Sequence, residues 1–367
     1  MSIAPYLREI GRGKEGARAL SREQACDLMS QLLDNKLSDL EKGGFALAMR
    51  IKGETAEELA GFMDAVRPRL LPLAAPSTPV LLPSYNGARK LPNLTALLAL
   101  LLARDGVPVL VHGPLTDPGR VTSAQVFEAL GLPPALSPEA AQAQWAAGQP
   151  VFMPLAVLHP ALDQLLALRR VLGLRNPGHT LAKLLPAVPG GVRVVNHTHP
   201  EYSISLSQFL ELTQADALLL RGTEGEPVAD ARRCPALKVF VQGQLSDVLS
   251  VEAQGGSLAE LPDLPSLDPA ETAAAIRAML AGQRPVPAPI DRQRRVLLAL
   301  RDAALAAADT TGRTWWASRC WPARWRGWTR PRASCRSASA AAVNPRPRPS
   351  SRSCWCARPW PARRWCA

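Results

Sequence analysis

Through residues 1–72, apolar side chains recur every three or four positions, the spacing that lines up one face of a helix. Leu28, Leu32 and Leu33 form one run, and Leu59, Phe62, Met63 and Val66 another. Each run follows a cap signature. Ser21-Arg22-Glu23-Gln24 and Thr55-Ala56-Glu57-Glu58 set a hydroxyl three positions before a side chain that can reach back to it, the pattern of a capping box. Gly43-Gly44 and Lys52-Gly53 punctuate the segment. Residues 1–72 are therefore predicted as an all-helical domain. Its helices are too short and few to bury a core alone, so they must pack on the rest of the chain or on a second subunit.

Pro72 to Pro83 is a proline-rich connector that ends in the apolar run Val80-Leu81-Leu82. From there the pattern changes. Short apolar runs at 80–82, 107–111, 150–154, 192–195 and 217–220 read as buried strands. Between and after them, 93–104, 123–130, 161–172, 181–185, 205–212, 269–281 and 292–308 read as helices. Residues 243–266, acidic and rich in proline, are expected to be irregular or hairpin-like. Strands alternating with helices predict a mostly parallel sheet. The fold class is thus α/β: a small helical domain, 1–72, plus a large α/β domain, 78–312. The longest apolar run, Leu94 to Ala103, is about half of a membrane span and reads as a buried helix.

Charge changes the picture less than its total suggests. The chain carries 43 Lys and Arg against 31 Asp and Glu, formally +12. The excess is local: residues 313–367 hold 13 arginines, eight of the nine Trp and five of the seven Cys, with no Lys, Asp or Glu. Without them the balance is 30 basic to 31 acidic residues, a formal −1. Net charge alone therefore does not point to nucleic acid. Basic arms usually mix Lys with Arg and hold few Trp or Cys. Arg, Ala, Pro, Trp, Ser and Cys are what GC-rich codons yield out of frame. Residues 313–367 read as a frameshifted tail without native structure; the alternative is a genuine Arg/Trp-rich arm. The remaining cysteines, Cys26 and Cys234, have no metal or redox spacing. They suit a reducing, cytoplasmic setting, and Met1 to Ile10, with Arg8 and Glu9, does not read as a signal peptide.

Leu20-Ser21-Arg22-Glu23-Gln24-Ala25 and Ala48-Met49-Arg50-Ile51-Lys52-Gly53-Glu54-Thr55 resemble the N-terminal helical domain of the anthranilate phosphoribosyltransferase family, glycosyltransferase family 3. The resemblance continues through Asn93-Leu94-Thr95, Val111-His112-Gly113, His159-Pro160-Ala161 and Leu168 to Arg175, and covers roughly residues 3–305 in order. It implies that family's fold, with helices around 161–186 completing the helical domain, and a homodimer through that domain. The family's three catalytic loops are eroded here. Its Gly-Thr-Gly-Gly-Asp pyrophosphate loop stands as Pro83-Ser84-Tyr85-Asn86-Gly87-Ala88-Arg89-Lys90, and its Lys-His-Gly-Asn loop as Val111-His112-Gly113-Pro114. Its magnesium-binding Asp-Glu pair stands as Glu224 and Glu226 within Arg221 to Glu226, two carboxylates at i, i+2. This erosion resembles the YbiB-type branch, which implies a non-catalytic dimer that binds nucleic acid, single- or double-stranded, without regard to sequence. The alternative is a divergent glycosyl or phosphoribosyl transferase acting on phosphoribosyl pyrophosphate and an unknown acceptor.

The expected phosphate contacts are Arg89, Lys90, Arg169, Arg170, Arg175, Lys183 and Arg193. Three readings stay open for the cluster from 169 to 193: a positive groove for a phosphodiester backbone, a solvated helix face with ordinary ion pairs, or an inherited acceptor site. Arg89 and Lys90 precede a helix expected near Asn93, and a helix start attracts anions. Asn93, Thr95, His112, Gly113, Glu224 and Glu226 mark the vestigial phosphoribosyl site, with Asn93 and Thr95 equally suited to capping and His112 to a structural role. No catalytic residue and no cofactor are expected; magnesium at Glu224 and Glu226 belongs to the transferase alternative. His197 and His199 lack a third metal ligand. Trp145 is the single Trp before the tail, so binding is expected to be electrostatic and salt-dependent rather than built on a stacking platform.

Overall fold

The structure, a computed structural model, describes residues 2–255 and 263–310. The arginine-rich segment 313–367 and part of the stretch 243–266 lie outside the described residues. Five helices open the chain: α1 (Ala4–Ile10), α2 (Gly13–Gly16), α3 (Arg22–Leu33), α4 (Asp39–Lys52) and α5 (Ala56–Val66). The capping boxes at Ser21 and Thr55 both form, and Ser38 with Glu41 makes a third at the start of α4. Each satisfies two backbone N–H groups that a helix start leaves without partners.

Lys52-Gly53-Glu54-Thr55 has a structural use. Glu58, three residues past the Thr55 cap, is fully buried and accepts from the N–H groups of Thr55 and Leu20, each at 3.0 Å. The Lys52 ammonium closes on the same carboxylate at 2.6 Å and is itself nearly buried. A charge removed from water in this way needs a partner charge and hydrogen bonds.

The chain then alternates: β1 (Val80–Pro83), α6 (Thr95–Arg104), β2 (Val109–Gly113), α7 (Ser123–Ala129), α8 (Pro138–Ala146) and β3 (Val151–Pro154). It continues with α9 (Leu155–Leu158), α10 (Pro160–Ala167), α11 (Arg169–Leu172), α12 (Pro177–Leu184), β4 (Val192–His197), α13 (Tyr202–Leu212) and β5 (Ala217–Arg221). It ends with β6 (Leu237–Val241), β7 (Gln244–Leu245), α14 (Pro269–Leu280) and α15 (Ala288–Thr310). The sheet order is β3-β2-β1-β4-β5-β6-β7, parallel from β1 to β5, with β6 and β7 antiparallel at one edge.

Alternate residues of each strand feed opposite faces. Val80, Leu82, Val109 and Val111 join α6, α7, α14 and α15 in one core. Leu81, Leu110, Val195 and Leu219 join the other, which runs without a break into Leu28, Phe62 and Met63 of the helical domain. Leu162, Leu165, Leu181 and Leu184 of α10 and α12 belong to that second core. Among the described residues no helix is long and apolar enough to cross a membrane.

Candidate functional site

The sheet reverses direction of growth between β1 and β4. In parallel α/β sheets the loops leaving the carboxyl ends of the strands part at such a point and open a crevice. A cavity of about 420 Å³ lies there. Asn86 enters it from the loop after β1, Asn196, His197, Thr198 and His199 from the end of β4, and Glu224 from the loop after β5. The helical side contributes Arg50 and Glu54, and α12 contributes His179, Thr180 and Lys183. Arg120, Arg169, Arg175 and Tyr202 complete the polar wall.

The loop after β1 turns its N–H groups toward two carboxylates of the chain itself. Glu226, buried, accepts from the N–H of Asn86 at 2.8 Å and of Gly87 at 2.7 Å, and from the hydroxyls of Ser84 and Thr95. Glu224 accepts from the N–H groups of Arg89 (2.8 Å), Lys90 (3.0 Å) and Leu91 (3.2 Å). Burial pushes the Glu224 carboxyl up, but these three donors and the Arg120 guanidinium outweigh it and hold the group below the usual carboxylate range. Glu224 reaches this position from a left-handed backbone, φ 53°, which costs a residue with a side chain roughly 1–2 kcal/mol. The next residue must be glycine: at Gly225, φ 86°, a Cβ would lie 1.8 Å from Asn86 Nδ2. Backbone N–H groups converging in this way form an anion nest, and here protein carboxylates fill it.

The rest of the cavity stays cationic. Arg175 has no hydrogen-bond or ion-pair partner among the described residues, and burial with Arg169 and Arg120 nearby pushes its pKa down to about 10. Lys183 donates to Asn196 Oδ1 at 2.8 Å and to the Gly225 carbonyl at 3.2 Å. Burial, then the Arg175 guanidinium, push its ammonium down to about 7. The same two causes hold His179 near 3, so its ring is neutral. Its Nδ1 faces the N–H of Asn176 in the cap of α12.

Comparison with known proteins places this geometry in a family. Residues 4–69 match the family described as glycosyl transferase family, helical bundle domain. Over 319 residues, 85% of this chain and 98% of the relative, the sequence is 40% identical to the uncharacterized protein YbiB of Escherichia coli strain K12. It is 30% identical over 290 residues to the anthranilate phosphoribosyltransferase of Methylobacterium nodulans, covering 77% of this chain and 84% of that enzyme. The chain belongs to glycosyltransferase family 3, the anthranilate phosphoribosyltransferase family. Solved structures of that family share the fold. The Thermus thermophilus enzyme superposes with a TM-score of 0.63 at 24% identity, over 83% of this chain and 90% of its own. The Saccharomyces cerevisiae enzyme in complex with PRPP and Mg does so with 0.58 at 15%, over 85% and 90%.

Glu224 and Glu226 do not fit the family's magnesium role. Both carboxylates are committed to backbone N–H groups and hydroxyls. Of the expected phosphate contacts, the structure gathers Arg169, Arg175 and Lys183 at the cavity. Arg169 also faces Asp117 at 3.8 Å. One expectation needs correction. Arg193 is buried on β4 and donates to the Leu184 carbonyl at 3.3 Å; both faces of this central strand are covered, so it cannot reach a ligand. Arg170 is exposed on α11 and does not line the cavity. Arg89 and Lys90 are exposed, and the N–H groups that an anion would use are taken by Glu224.

The vestigial positions are structural. Asn93 accepts from the Thr95 N–H at 3.2 Å, where α6 begins, and Thr95 is buried. His112 is buried against Tyr85, whose hydroxyl lies 2.6 Å from Nδ1, and burial pushes its pKa down to about 3. At Gly113 a Cβ would lie 1.9 Å from the Ser84 carbonyl oxygen. Asn86 lies in the stretch matched to the pyrophosphate loop, whereas no motif marks Arg120 or Asn196, which reach the cavity only through the sheet order. Arg294 and Arg295, in the second turn of α15, are matched by Asp105 and Asp291.

Proposed function

We propose that this chain is a non-catalytic, sequence-independent nucleic-acid-binding protein on a phosphoribosyltransferase fold, working as a cytoplasmic homodimer. One observation carries the proposal. The N–H groups that would wrap a pyrophosphate are filled by Glu224 and Glu226, while the adjoining cleft keeps Arg175, Lys183, Arg120 and Arg169 for a phosphodiester. The test uses the full chain beside its Arg175→Ala/Lys183→Ala variant; both carry residues 313–367, so their difference reports the cleft. With a labelled oligonucleotide, the variant should bind roughly 10–100-fold more weakly near 0.1 M salt, and its log–log salt slope should be shallower by about two. Equal slopes and affinities would sink the proposal. Turnover of phosphoribosyl pyrophosphate with magnesium, lost in Glu224→Gln, would favour the transferase.

Binding should also depend on pH through Lys183. Arg175, His179, His197 and Glu226 face it; the imidazole of His179 is already neutral, burial lowers that of His197, and the Arg175 guanidinium, near 10, stays charged over this range. A bound phosphate favours the charged ammonium and raises its pKa above the free value of about 7. Affinity is therefore full below pH 7 and declines as pH rises toward the pKa of the bound form. Lys183→Arg should flatten the profile between about pH 6.5 and 8.5.

The dimer is proposed through the helical domain. Leu40, Leu47 and Ile51 lie along one side of α4 at 87%, 49% and 53% exposure, a row a helix rarely gives to water. Leu47→Glu/Ile51→Glu should convert the protein to monomer in sedimentation; an unchanged dimer would place the interface elsewhere.

A further inference from the structure

We propose that the cleft takes one unpaired nucleotide of a single strand, with its phosphate against Arg175, Lys183 and Arg120 and a sugar or base donor on Asn86 Oδ1. This rests on the nucleic-acid proposal above and narrows it. Asn86 is 5% exposed and forms part of the cavity wall. Its amide is oriented by Nδ2, which donates to the Glu224 carbonyl at 2.9 Å. That leaves Oδ1 buried with no partner among the described residues.

A buried acceptor without a donor is costly, and most such groups are paired. The missing partner must be a donor. A bare phosphodiester carries acceptors only, so it would satisfy the cations and leave Asn86 as it is. A nucleotide supplies both: anionic oxygens, and an N–H of the base or a hydroxyl of the sugar.

Size and access select the unpaired form. About 420 Å³ lies within the roughly 300–1,000 Å³ range of small-ligand pockets. A duplex shows its backbone outward and keeps its bases stacked, so it could fill the pocket only by flipping a base out, at an energetic cost that a single strand largely avoids. Tyr202 and His199, with rings 6.3 Å apart and tilted by 52°, give the cleft an aromatic wall.

The experiment uses the full chain and three probes: a 2-aminopurine-labelled single strand, the same sequence as a duplex, and AMP. The strand should bind about tenfold or more tightly than the duplex, and 2-aminopurine emission should rise as the base leaves its neighbours. Asn86→Leu, close in volume but without the acceptor, should narrow the strand-over-duplex preference severalfold; the emission change on the unaltered protein stands even if that variant folds poorly. Duplex bound as tightly as strand, with emission unchanged, overturns the inference and leaves the nucleic-acid proposal intact. AMP bound as tightly as the strand gives the cleft to a free nucleotide and also overturns it. If neither the strand nor the duplex loses affinity in Arg175→Ala/Lys183→Ala, the nucleic-acid proposal and this inference fall together.

Discussion

Glu226→Ala should lower the stability of the protein by about 3–5 kcal/mol, read as a fall in the thermal midpoint on the order of 5–10 °C. The carboxylate is buried, and its removal strands the N–H groups of Asn86 and Gly87 with no alternative acceptor. The hydroxyls of Ser84 and Ser123 can turn to each other, since they already lie 2.7 Å apart, so the backbone donors dominate the loss. The vacated nest should also behave as an anion site. Added inorganic pyrophosphate should raise the midpoint of Glu226→Ala by more than that of the unaltered protein, in which only the cationic cleft can take it. A variant as stable as the parent, or a parent equally stabilised by pyrophosphate, would mean that Glu226 does not occupy the nest in solution.

Much of this architecture is legible from one sequence, and the illegible parts have identifiable causes. Strands β1 to β5 are short apolar runs because helices cover both of their faces. The caps at Ser21 and Thr55 are legible because their partners lie three residues away. Helix α8 is not, since its alanines surround the axis without marking a buried side. The β6–β7 hairpin turns at Gln242-Gly243, both with positive φ (49° and 78°); glutamine lacks the strong turn signature of Asn-Gly or Asp-Gly at such a place.

The site divides in the same way. The missing glycines of the loop after β1 show in the sequence that its phosphate chemistry has changed. What replaced the phosphate does not, because Glu226 meets Asn86 and Gly87 across about 140 residues. Arg193 illustrates the opposite error. Ten residues from Lys183 it looks like part of a basic cluster, yet it lies on the central strand β4, where burial pushes its guanidinium down to about 10 and the Leu184 carbonyl holds it. Proximity in sequence implies a shared surface on a helix; across a helix–strand junction it does not.

Glu58→Ala should be comparably damaging, at about 3–5 kcal/mol, for a reason that bears on how the family resemblance is used. Without Glu58, the Lys52 ammonium is left at 7% side-chain exposure with only the Gly53 carbonyl, at 2.8 Å, to hold it. The N–H groups of Leu20 and Thr55 lose their acceptor as well. Glu58→Gln should cost less, because an amide oxygen can still accept from one of these donors. Lys52→Met/Glu58→Gln should cost less than Glu58→Ala alone, since no buried charge remains unpaired. Neither Lys52 nor Glu58 lines the cleft. Oligonucleotide affinity per folded molecule should therefore be unchanged in Glu58→Gln even as its midpoint falls. If that holds, Lys52 and Thr55 identify the helical domain through packing and capping while Gly53 and Glu54 border the cleft, and the function has to be sought where the chain departs from its relatives, at the filled nest and the cationic cleft beside it. A Glu58→Gln protein with full stability but weakened oligonucleotide binding would reverse that assignment and put the motif in the binding site.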